Sequence, residues 1–596
     1  MLFRTPLALT AAMLPALALA QQSISPIVVT ATRMSTYADA QSRDVTIISQ
    51  EDIAASGARS VAELLHTASG TQIVQYGSGG ATSGIFLRGA SSNHTLVLID
   101  GQRVGSSTAG LTALEAISLA NVERIEIVRG PLSMLYGADA LGGVVQIFTR
   151  TGNKGTRYGA AVAIGTQKTA RTSAFASFGD AVWSTQLSGN FERSAGFNAI
   201  DNPDNFSYNP DVDGFRRTGL TAGLSAQLAP QVSATLRLLH NDLNTQYDGS
   251  ATYNDRTRTK QTAVQASLDA YGAKLRLGQS EDDARFDSEF PGAFRTRTTE
   301  ASVQNRFALS AGWSVLGALE WRGERVATSE AFSQNQRNTT SALASLEGRV
   351  ASASVQATAR VDDSKQFGAR LTGGLGFVAP MSAQLQLTAN LGTAFKAPTF
   401  NDLYYPSFSN PNLKPERALS GDIGLRTRLG SLSGSVVAHH ARIQDIIVFE
   451  CDAVFNCAPQ NVSKASISGL SLAGQWRVSS ATQVSATMDF LNAKDKEAGG
   501  QLPRRARTHA SVRIEHGFAG MTARAEAVVV GKRFDDSANN TPLAAYTLVN
   551  LGLDVPVASG LTAELRANNV LDEKYALAKD FASSPRSVML GVRWQP

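Results

Sequence analysis

Long apolar runs are missing from this 596-residue sequence. Beyond residue 20 no stretch of 18 apolar residues occurs, so membrane-spanning helices are excluded. The formal net charge is only +5 over the whole chain, which is no signature of nucleic-acid binding. No Ser/His/Asp spacing or nucleophile elbow stands out, and the Gly-rich run at 77–84 lacks the Lys-Ser/Thr ending of a phosphate-binding loop. Nothing in the sequence therefore supports an enzyme.

Cysteine is nearly absent as well: the chain has two, Cys451 and Cys457, in the stretch ECDAVFNCAP. A redox or metal pair would need a CxxC spacing or neighbouring histidines, and neither is present. In an exported protein, two cysteines this close would oxidise to a local disulfide. We therefore expect a Cys451–Cys457 bridge that closes a loop.

The first 20 residues have the pattern of an export signal. Arg4 precedes an apolar stretch at 7–19, and Ala18-Leu19-Ala20 has the small-x-small form of a signal peptidase site. We expect residues 1–20 to be removed, so that the mature chain begins near Gln21.

Alternating strands fill the chain from about Tyr158 onward. In AQLQLTANLGTAF, Leu385 and Leu387 share one face, and Gln386 and Asn390 share the other. Soluble antiparallel sheets alternate too, but export, the lack of helical spans and the repeated polar face together favour an outer-membrane barrel. At about 20 residues for each strand with its turn, residues 151–596 predict a membrane all-β fold of about 22 antiparallel transmembrane strands. A barrel of this width is expected to be plugged.

Residues 40–150 are the predicted plug. They begin with a strand at 45–48 and two helix starts, one at Ser49 and one at Ser60 with Glu63 at its third position. Short β-rich runs then alternate with Arg-Gly, Asp-Gly and Gly-Gly turns. These runs cover residues 85–87, 95–99, 124–128 and 144–148. The pattern predicts a small α+β domain at the N-terminal side of the barrel, held in its lumen.

Residues 21–39 contain one apolar, β-prone run, Ile27 to Thr30. Such a run is usually a frayed terminus or an edge strand. It can also be a docking strand, because an extended segment with unpaired backbone groups can add to the sheet edge of a partner. The residues alone leave both interpretations open.

The chain resembles the TonB-dependent receptors over nearly its whole length. PIVVTAT is similar to a Ton box, the motifs IFLRG, VLIDG and IEIVRGPLSMLYGADALGGVVQI are similar to the family's plug, and FKAPTFNDLYYPSFSNPNLKPE and NNVLDEKY are similar to its barrel. Within the family, the sequence is most similar to the cobalamin receptors. The resemblance implies a TonB-docking segment formed by Pro26, Ile27, Val28, Val29, Thr30, Ala31 and Thr32.

Two predicted barrel loops contain clustered oxygen donors. These donors are Asp211, Asp213, Tyr247, Asp248 and Asp255. By themselves they are either solvated loop residues or a cation site, and an EF-hand is excluded because Ala222 occupies position twelve of a loop begun at Asp211. The resemblance implies that all five bind calcium, which would order the outer face for cobalamin. A further acidic ligand of the family is missing where Asn198 aligns, unless Asp201 replaces it.

The resemblance also implies which residues face the ligand and which hold the plug. The ligand-facing residues would be Thr82, Gly84, Ser91, Ala109, Gly110, and Arg504 or Arg505. Small and polar residues suit backbone and hydroxyl contacts to the amide-fringed rim of a corrinoid, although several identities differ from those of the cobalamin receptors. In the family, plug arginines pair with barrel glutamates, so Arg88 and Arg129 are expected to pair with Glu416.

Together these expectations describe a transporter in the bacterial outer membrane that imports cobalamin or a related corrinoid. Calcium would be its structural cofactor, and TonB, with its inner-membrane energising complex, would be its partner. Energised import of another ligand, such as a ferric siderophore, would keep the architecture and change only the loops. A passive porin would share the barrel but would need neither plug nor docking segment.

Overall fold

The computed structural model describes residues 27–33, 36–37, 40–152, 154–310, 312–451 and 457–596. The predicted export signal and Pro26 lie outside these residues. None of the helices in the described ranges is long and apolar enough to cross a membrane.

Within the described residues, the plug contains nine strands and three short α-helices, α1 to α3. Its strands are β1 (Ile27–Val28), β2 (Thr36–Tyr37), β3 (Val45–Ile48), β4 (Thr71–Gln75), β5 (Ser83–Leu87), β6 (Thr95–Ile99), β7 (Gln102–Arg103), β8 (Val122–Arg129) and β9 (Gly143–Thr149), and its helices are α1 (Gln50–Ser56), α2 (Val61–His66) and α3 (Ser133–Tyr136). Five strands form one sheet in the order β3-β8-β9-β6-β7, with β6 parallel to β9. Strands β4 and β5 form a separate hairpin. The predicted α+β character of the plug is confirmed.

Both predicted helix starts are confirmed by their caps. The Ser49 side chain accepts from the backbone of Asp52, whose carboxylate accepts in return from the backbone of Ser49, so α1 begins with a capping box. Ser60 accepts from the Glu63 backbone at the start of α2. Gly57 ends α1 in the left-handed region, at φ 67°, which glycine adopts without strain.

Twenty-two antiparallel strands close the barrel. They are β10 (Gly155–Gly165), β11 (Thr169–Gly179), β12 (Trp183–Phe197), β13 (Asp213–Ala229), β14 (Val232–Gln246), β15 (Arg256–Ala270), β16 (Ala273–Asp287), β17 (Gly292–Ser310), β18 (Trp313–Thr328), β19 (Gln336–Val350), β20 (Ala353–Ser364), β21 (Gly368–Pro380), β22 (Leu385–Lys396), β23 (Glu416–Leu429), β24 (Leu432–Cys451), β25 (Cys457–Arg477), β26 (Thr482–Asp495), β27 (Thr508–Phe518), β28 (Met521–Val530), β31 (Tyr546–Ala558), β32 (Leu561–Asn568) and β33 (Ser587–Trp594). Strand β33 pairs with β10, so no open edge is left in the wall. The predicted fold class and strand number are confirmed.

Alternation sorts the wall residues into a lipid face and a lumen face. On β22, Leu391 is 50% exposed, whereas the neighbouring Asn390 is 8% exposed and donates to the backbone of Ser42 in the plug. Short turns join the strands at one end, and longer connections, such as residues 198–212 and 247–255, join them at the other. Longer loops face outward in outer-membrane barrels, so these connections lie at the extracellular end.

Short elements and one disulfide complete the extracellular end. Helix α4 (Phe400–Tyr404) lies in the connection between β22 and β23, and strands β29 (Arg533–Phe534) and β30 (Pro542–Leu543) pair between β28 and β31. A disulfide joins Cys451 to Cys457 at the tip of the β24–β25 hairpin. This bridge is the one that the cysteine spacing predicts.

The plug core continues into the barrel wall. Leu64, Leu65 and Ile127 of the plug pack in one apolar cluster with Val528 and Tyr546 of the wall. Because this cluster is shared, the plug is packed against the barrel as closely as the layers of a single domain.

Candidate functional site

Three aspartates meet at the extracellular end. The carboxylates of Asp211, Asp213 and Asp248 offer oxygens that all lie within 4.8 Å of one another. Asp213 begins β13, and Asp248 follows β14, so the strand pairing brings the two loops together. The side chains of Asp213 and Asp248 are almost completely buried.

The cluster carries uncompensated negative charge. In the described part of the chain, none of the three aspartates forms an ion pair with Lys or Arg. Burial, reinforced by the charges of Asp213, Asp211 and Asp255, raises the pKa of Asp248 to about 7. Two backbone amides supply some compensation: Ala199 donates to Asp213 at 2.7 Å, and Ile200 donates to Asp248 at 2.9 Å. Several carboxylates around one point suit a hard divalent cation.

The other two predicted metal ligands lie beside the cluster. Asp255 is buried and accepts from the Gly249 backbone at 3.1 Å. The Tyr247 hydroxyl hydrogen-bonds instead with Ser288 and Thr257. The structure therefore brings Asp211, Asp213 and Asp248 together, with Asp255 adjacent and Tyr247 engaged by its neighbours.

The acidic cluster sits directly on the plug apex. Ala199, whose backbone amide binds Asp213, lies 2.8 Å from the position of a Cβ built on Gly77. Gly80 is equally close to the wall, because a Cβ there would lie 2.5 Å from the Cβ of Phe215. The glycines of the run at 77–84 thus allow close contact between the apex and the barrel, and a side chain larger than hydrogen would clash there.

Thr82 and Ala109 are the exposed points of the plug. Among residues 56–150, all of them described, these two alone are exposed. Ala109 lies next to α4, because the carbonyls of Ser107 and Thr108 accept from the backbones of Phe400 and Asn401. Thr82 follows the apex that contacts the acidic cluster. Both predicted ligand residues therefore face the extracellular opening.

Other predicted ligand residues contact the protein itself. Gly84 is buried in β5, where a Cβ would lie 2.4 Å from the hydroxyl oxygen of Ser92. The buried Arg505 donates to the Gly89 carbonyl and to the Ser91 hydroxyl, and its guanidinium stacks over Phe86. Alternation along β5 turns Gly84 toward the plug interior, and the stacking holds Arg505 as a tie between plug and wall.

Arg504 and Gly110 are partly accessible. Arg504 donates to Asp535 at 2.7 Å and to the hydroxyl of Tyr76. Gly110, next to Ala109, has φ 69° and lies against Thr399 of the wall. These two residues border the opening at which Thr82 and Ala109 are exposed.

The prediction that Glu416 pairs with the plug arginines is wrong. Arg88 donates to Asp44 at 3.0 Å and to Asp422 of β23 at 2.9 Å, and Arg129 contacts Asp44 at 3.5 Å. Burial opposes ionisation of Asp44, but the charges of Arg129 and Arg88 prevail and lower its pKa to about 2.

Glu416 binds His94 and the Ile447 backbone instead. Glu416 and Asp422 share the lumen face of β23, but Asp422 lies six residues farther from the extracellular end. Period-two alternation identifies the face of a strand residue and not its height, so the sequence pattern could not choose between the two carboxylates.

The N-terminal segment is docked on the plug. Strand β1 pairs with β2, and the chain then turns, with Val28, Thr30 and Ala31 fully buried. One carboxylate oxygen of Glu126 accepts from the Val29 amide, the Thr30 amide and the Thr30 hydroxyl at 2.7–3.0 Å. Thr32 is also buried. In this state the segment offers no free edge to a partner.

Arg33 anchors the end of this segment. It forms an ion pair with Glu320 of β18 and donates to the Leu135 carbonyl at 3.1 Å. Neither Glu126 nor Glu320 was expected from the sequence. The signal that could have revealed Glu126 is a lone carboxylate within the apolar run of VERIEIVRG.

The fold and this site define a plugged barrel with an outward opening and a docked N-terminal segment. Residues 149–570 match the family model described as TonB dependent receptor-like, beta-barrel, and residues 38–144 match the TonB-dependent Receptor Plug Domain. The chain belongs to the TonB-dependent receptors. It is a TonB-dependent transporter of the outer membrane.

Relatives and solved structures agree with this assignment. The chain is 30% identical over 593 residues to the vitamin B12 transporter BtuB of Photobacterium profundum, with 95% of each chain covered. It is 28% identical to the transporter of the same name from Vibrio vulnificus, with 94% of this chain and 92% of that protein covered. The siderophore receptor PirA of Acinetobacter baumannii has the same fold, with a TM-score of 0.80 at 15% identity over 93% of this chain and 98% of PirA.

Proposed function

We propose that this transporter imports cobalamin or a related corrinoid. The observation that carries the proposal is the exposure of Thr82 and Ala109 at the extracellular opening, next to the aspartate cluster. The similarity to proteins named vitamin B12 transporter supports the same ligand class. A corrinoid has a rim of amides, and the accessible apex can offer hydroxyl and backbone groups to it.

Calcium is the proposed structural cofactor. Asp211, Asp213 and Asp248 would hold it, with Asp255 beside them, because hard oxygen donors suit this ion. A bound cation would neutralise the buried carboxylates and join the loops at 198–212 and 247–255. The cluster contacts the plug apex through Ala199, so ordering these loops would also order the surface around Thr82.

TonB is the proposed source of work. A nanomolar site corresponds to about −12 kcal/mol, so tight capture opposes release. The outer membrane has no ATP, and the work of loosening the site must arrive through a partner. Ligand binding outside would favour release of the N-terminal segment from Glu126, after which its backbone could pair with TonB and be pulled.

Equilibrium binding to the purified full-length protein tests this proposal. Cobalamin, cobinamide and a ferric siderophore would each be titrated with calcium and with a chelator. We expect cobalamin to bind, with an affinity that falls at least tenfold when chelator is added. The Asp248→Asn variant should bind as weakly as the chelated parent and should not respond to calcium. Asp204→Asn is the matched control, because Asp204 lies exposed in the loop at 198–212 but outside the cluster.

The same titration separates the rival functions. If the siderophore binds and neither corrinoid does, the corrinoid proposal fails and energised siderophore import replaces it. If cobalamin binds equally with and without chelator, the calcium proposal fails alone. A passive porin would bind none of the three and would keep its transport after deletion of residues 27–31.

A further inference from the structure

Four arginines form one row on the outside of the barrel wall. The row runs across five neighbouring strands, β12 to β16, as Arg193, Arg216, Asn244, Arg258 and Arg285, each paired with the next in the strand register. All four arginines are exposed. Arg216 shares its face of β13 with the exposed Leu220 and Leu224, whereas Arg217 points into the lumen and is buried. We call the four side chains the arginine row.

The arginine row lies where the apolar belt ends. Arg216, Arg258 and Arg285 lie 12 or 13 residues from the short-turn ends of their strands. At about 3.3 Å per residue and a strand tilt of about 40°, this separation is about 30 Å along the membrane normal. The apolar band of such barrels is about 25 Å tall. The arginine row therefore faces the headgroup layer of the outer leaflet.

Further cations continue the band at the same height. Arg297 of β17 and Arg325 of β18 are exposed, lie 13 and 12 residues from the short-turn ends of their strands, and are directly opposed in register. Carboxylates offset part of the charge in this region. The ion pairs are Arg258–Asp242, Arg285–Asp283, Arg295–Asp283 and Arg297–Glu281.

Like charges face each other within the arginine row. Arg193 is directly opposite Arg216, and Arg258 is directly opposite Arg285. Such pairs destabilise a sheet unless something neutralises them. Asp242 and Asp283 partly neutralise the second pair, but in the ranges that the structure describes Arg193 and Arg216 have no ion-pair partner. An anion bound between these two guanidinium groups would remove the repulsion and accept hydrogen bonds from both.

We propose that the arginine row binds the phosphate groups of a phosphorylated glycolipid of the outer leaflet. The side chains point away from the lumen, so an imported ligand does not pass them. Exposed leucines on the same strands, Leu220 and Leu224 among them, lie below the row and would contact the acyl chains of the same lipid. Four strand spacings span about 20 Å, which is wide enough for a headgroup that carries two separated phosphates.

Titration with diphosphoryl lipid A tests this proposal. Binding to the full-length protein in neutral-detergent micelles would be followed by native mass spectrometry. We expect the four-fold variant Arg193→Gln, Arg216→Gln, Arg258→Gln, Arg285→Gln to lose at least tenfold in affinity. The double variant Arg193→Gln, Arg216→Gln should lose several-fold, because it removes the two arginines that have no carboxylate partner among the described residues. If the four-fold variant fails to fold, as judged by heat-dependent migration in electrophoresis, the double variant decides.

A charge-matched control removes four exposed cations from other strands. Its substitutions are Arg417→Gln, Arg442→Gln, Lys464→Gln and Lys494→Gln, on β23 to β26. This control should bind lipid A as the parent does. The proposal is overturned if the arginine-row variants bind like the parent, or if the control loses affinity equally. It is also overturned if inorganic phosphate at the concentration of the lipid displaces it, because the site would then take free anions.

Discussion

Glu115 is a buried carboxylate beneath the plug apex. Its side chain is 7% exposed and accepts from the Ser83 hydroxyl at 3.0 Å and from the Ser83 amide at 3.3 Å. Burial raises its pKa from 4.5 to about 7, and the charge of Asp282 adds to this effect. The folded state therefore binds a proton between pH 4.5 and 7 that the unfolded state releases, so Glu115 lowers stability as pH rises through this window.

We predict a pH-dependent loosening of the apex that depends on Glu115. From pH 6 to pH 8 its ionised fraction rises from about one tenth to about nine tenths, given a pKa of about 7. A spin label at Thr82→Cys should become more mobile over this interval, as measured by electron paramagnetic resonance. In the Glu115→Gln variant, which keeps the size and removes the charge, the spectrum should be the same at both pH values. A parent spectrum that does not change with pH would contradict the prediction.

Single residues show where sequence reasoning stops. The aspartates of the cluster could be predicted from the resemblance, because they lie close together in two short loops. Asp44 and Asp422 could not, because 378 positions separate them along the chain, and only the height of β23 relative to the plug brings both to Arg88. Heights in a barrel depend on the register of every preceding strand pair.

The N-terminal segment is the element whose state decides coupling. Three hydrogen bonds converge on one oxygen of Glu126, and an ion pair at Arg33 follows within three residues. Hydrogen bonds to a charged acceptor contribute about 1.5–3 kcal/mol each. Glu126 is thus a larger restraint on the segment than the two-residue strand β1.

Replacing Glu126 by Gln should release the segment without ligand. The amide oxygen is a weaker acceptor than the carboxylate, so a spin label at Val29→Cys should show a larger mobile fraction. Glu123→Gln is the matched control, because Glu123 lies on the same strand β8 and accepts from Thr151 rather than from the segment. Its spectrum should match that of the parent. Equal spectra for the Glu126 variant and the parent would rule out this restraint.

Regular elements could be predicted well because one physical rule governs each of them. Lipid on one side and the lumen on the other impose period two on every wall strand, and Ser caps mark both plug helices. The docked state of the N-terminal segment could not be predicted in this way. An apolar β-prone run looks the same whether it pairs with a partner or turns around a buried carboxylate.

The whole molecule is a closed barrel whose lumen contains a domain packed against the wall. The strand number could be predicted by division, since bilayer thickness sets strand length. The contacts between plug and wall could not, because they join residues hundreds of positions apart, as Asn390 and Ser42 do. With so much of the plug buried, import requires that these contacts break.

A covalent tether across this interface should stop import and spare binding. A Cβ built on Gly376 of β21 lies 3.3 Å from the Cβ of Ser42, close to the roughly 3.5–4.5 Å that a disulfide needs. We expect oxidised Ser42→Cys, Gly376→Cys protein to bind ligand normally and to import none into cells, and we expect reductant to restore uptake. The two single-cysteine variants, with the native Cys451–Cys457 bridge present, control for the substitutions and for reduction. Normal uptake by the fully oxidised double variant would show that the plug leaves this part of the wall untouched, and the path would then have to open near another plug segment.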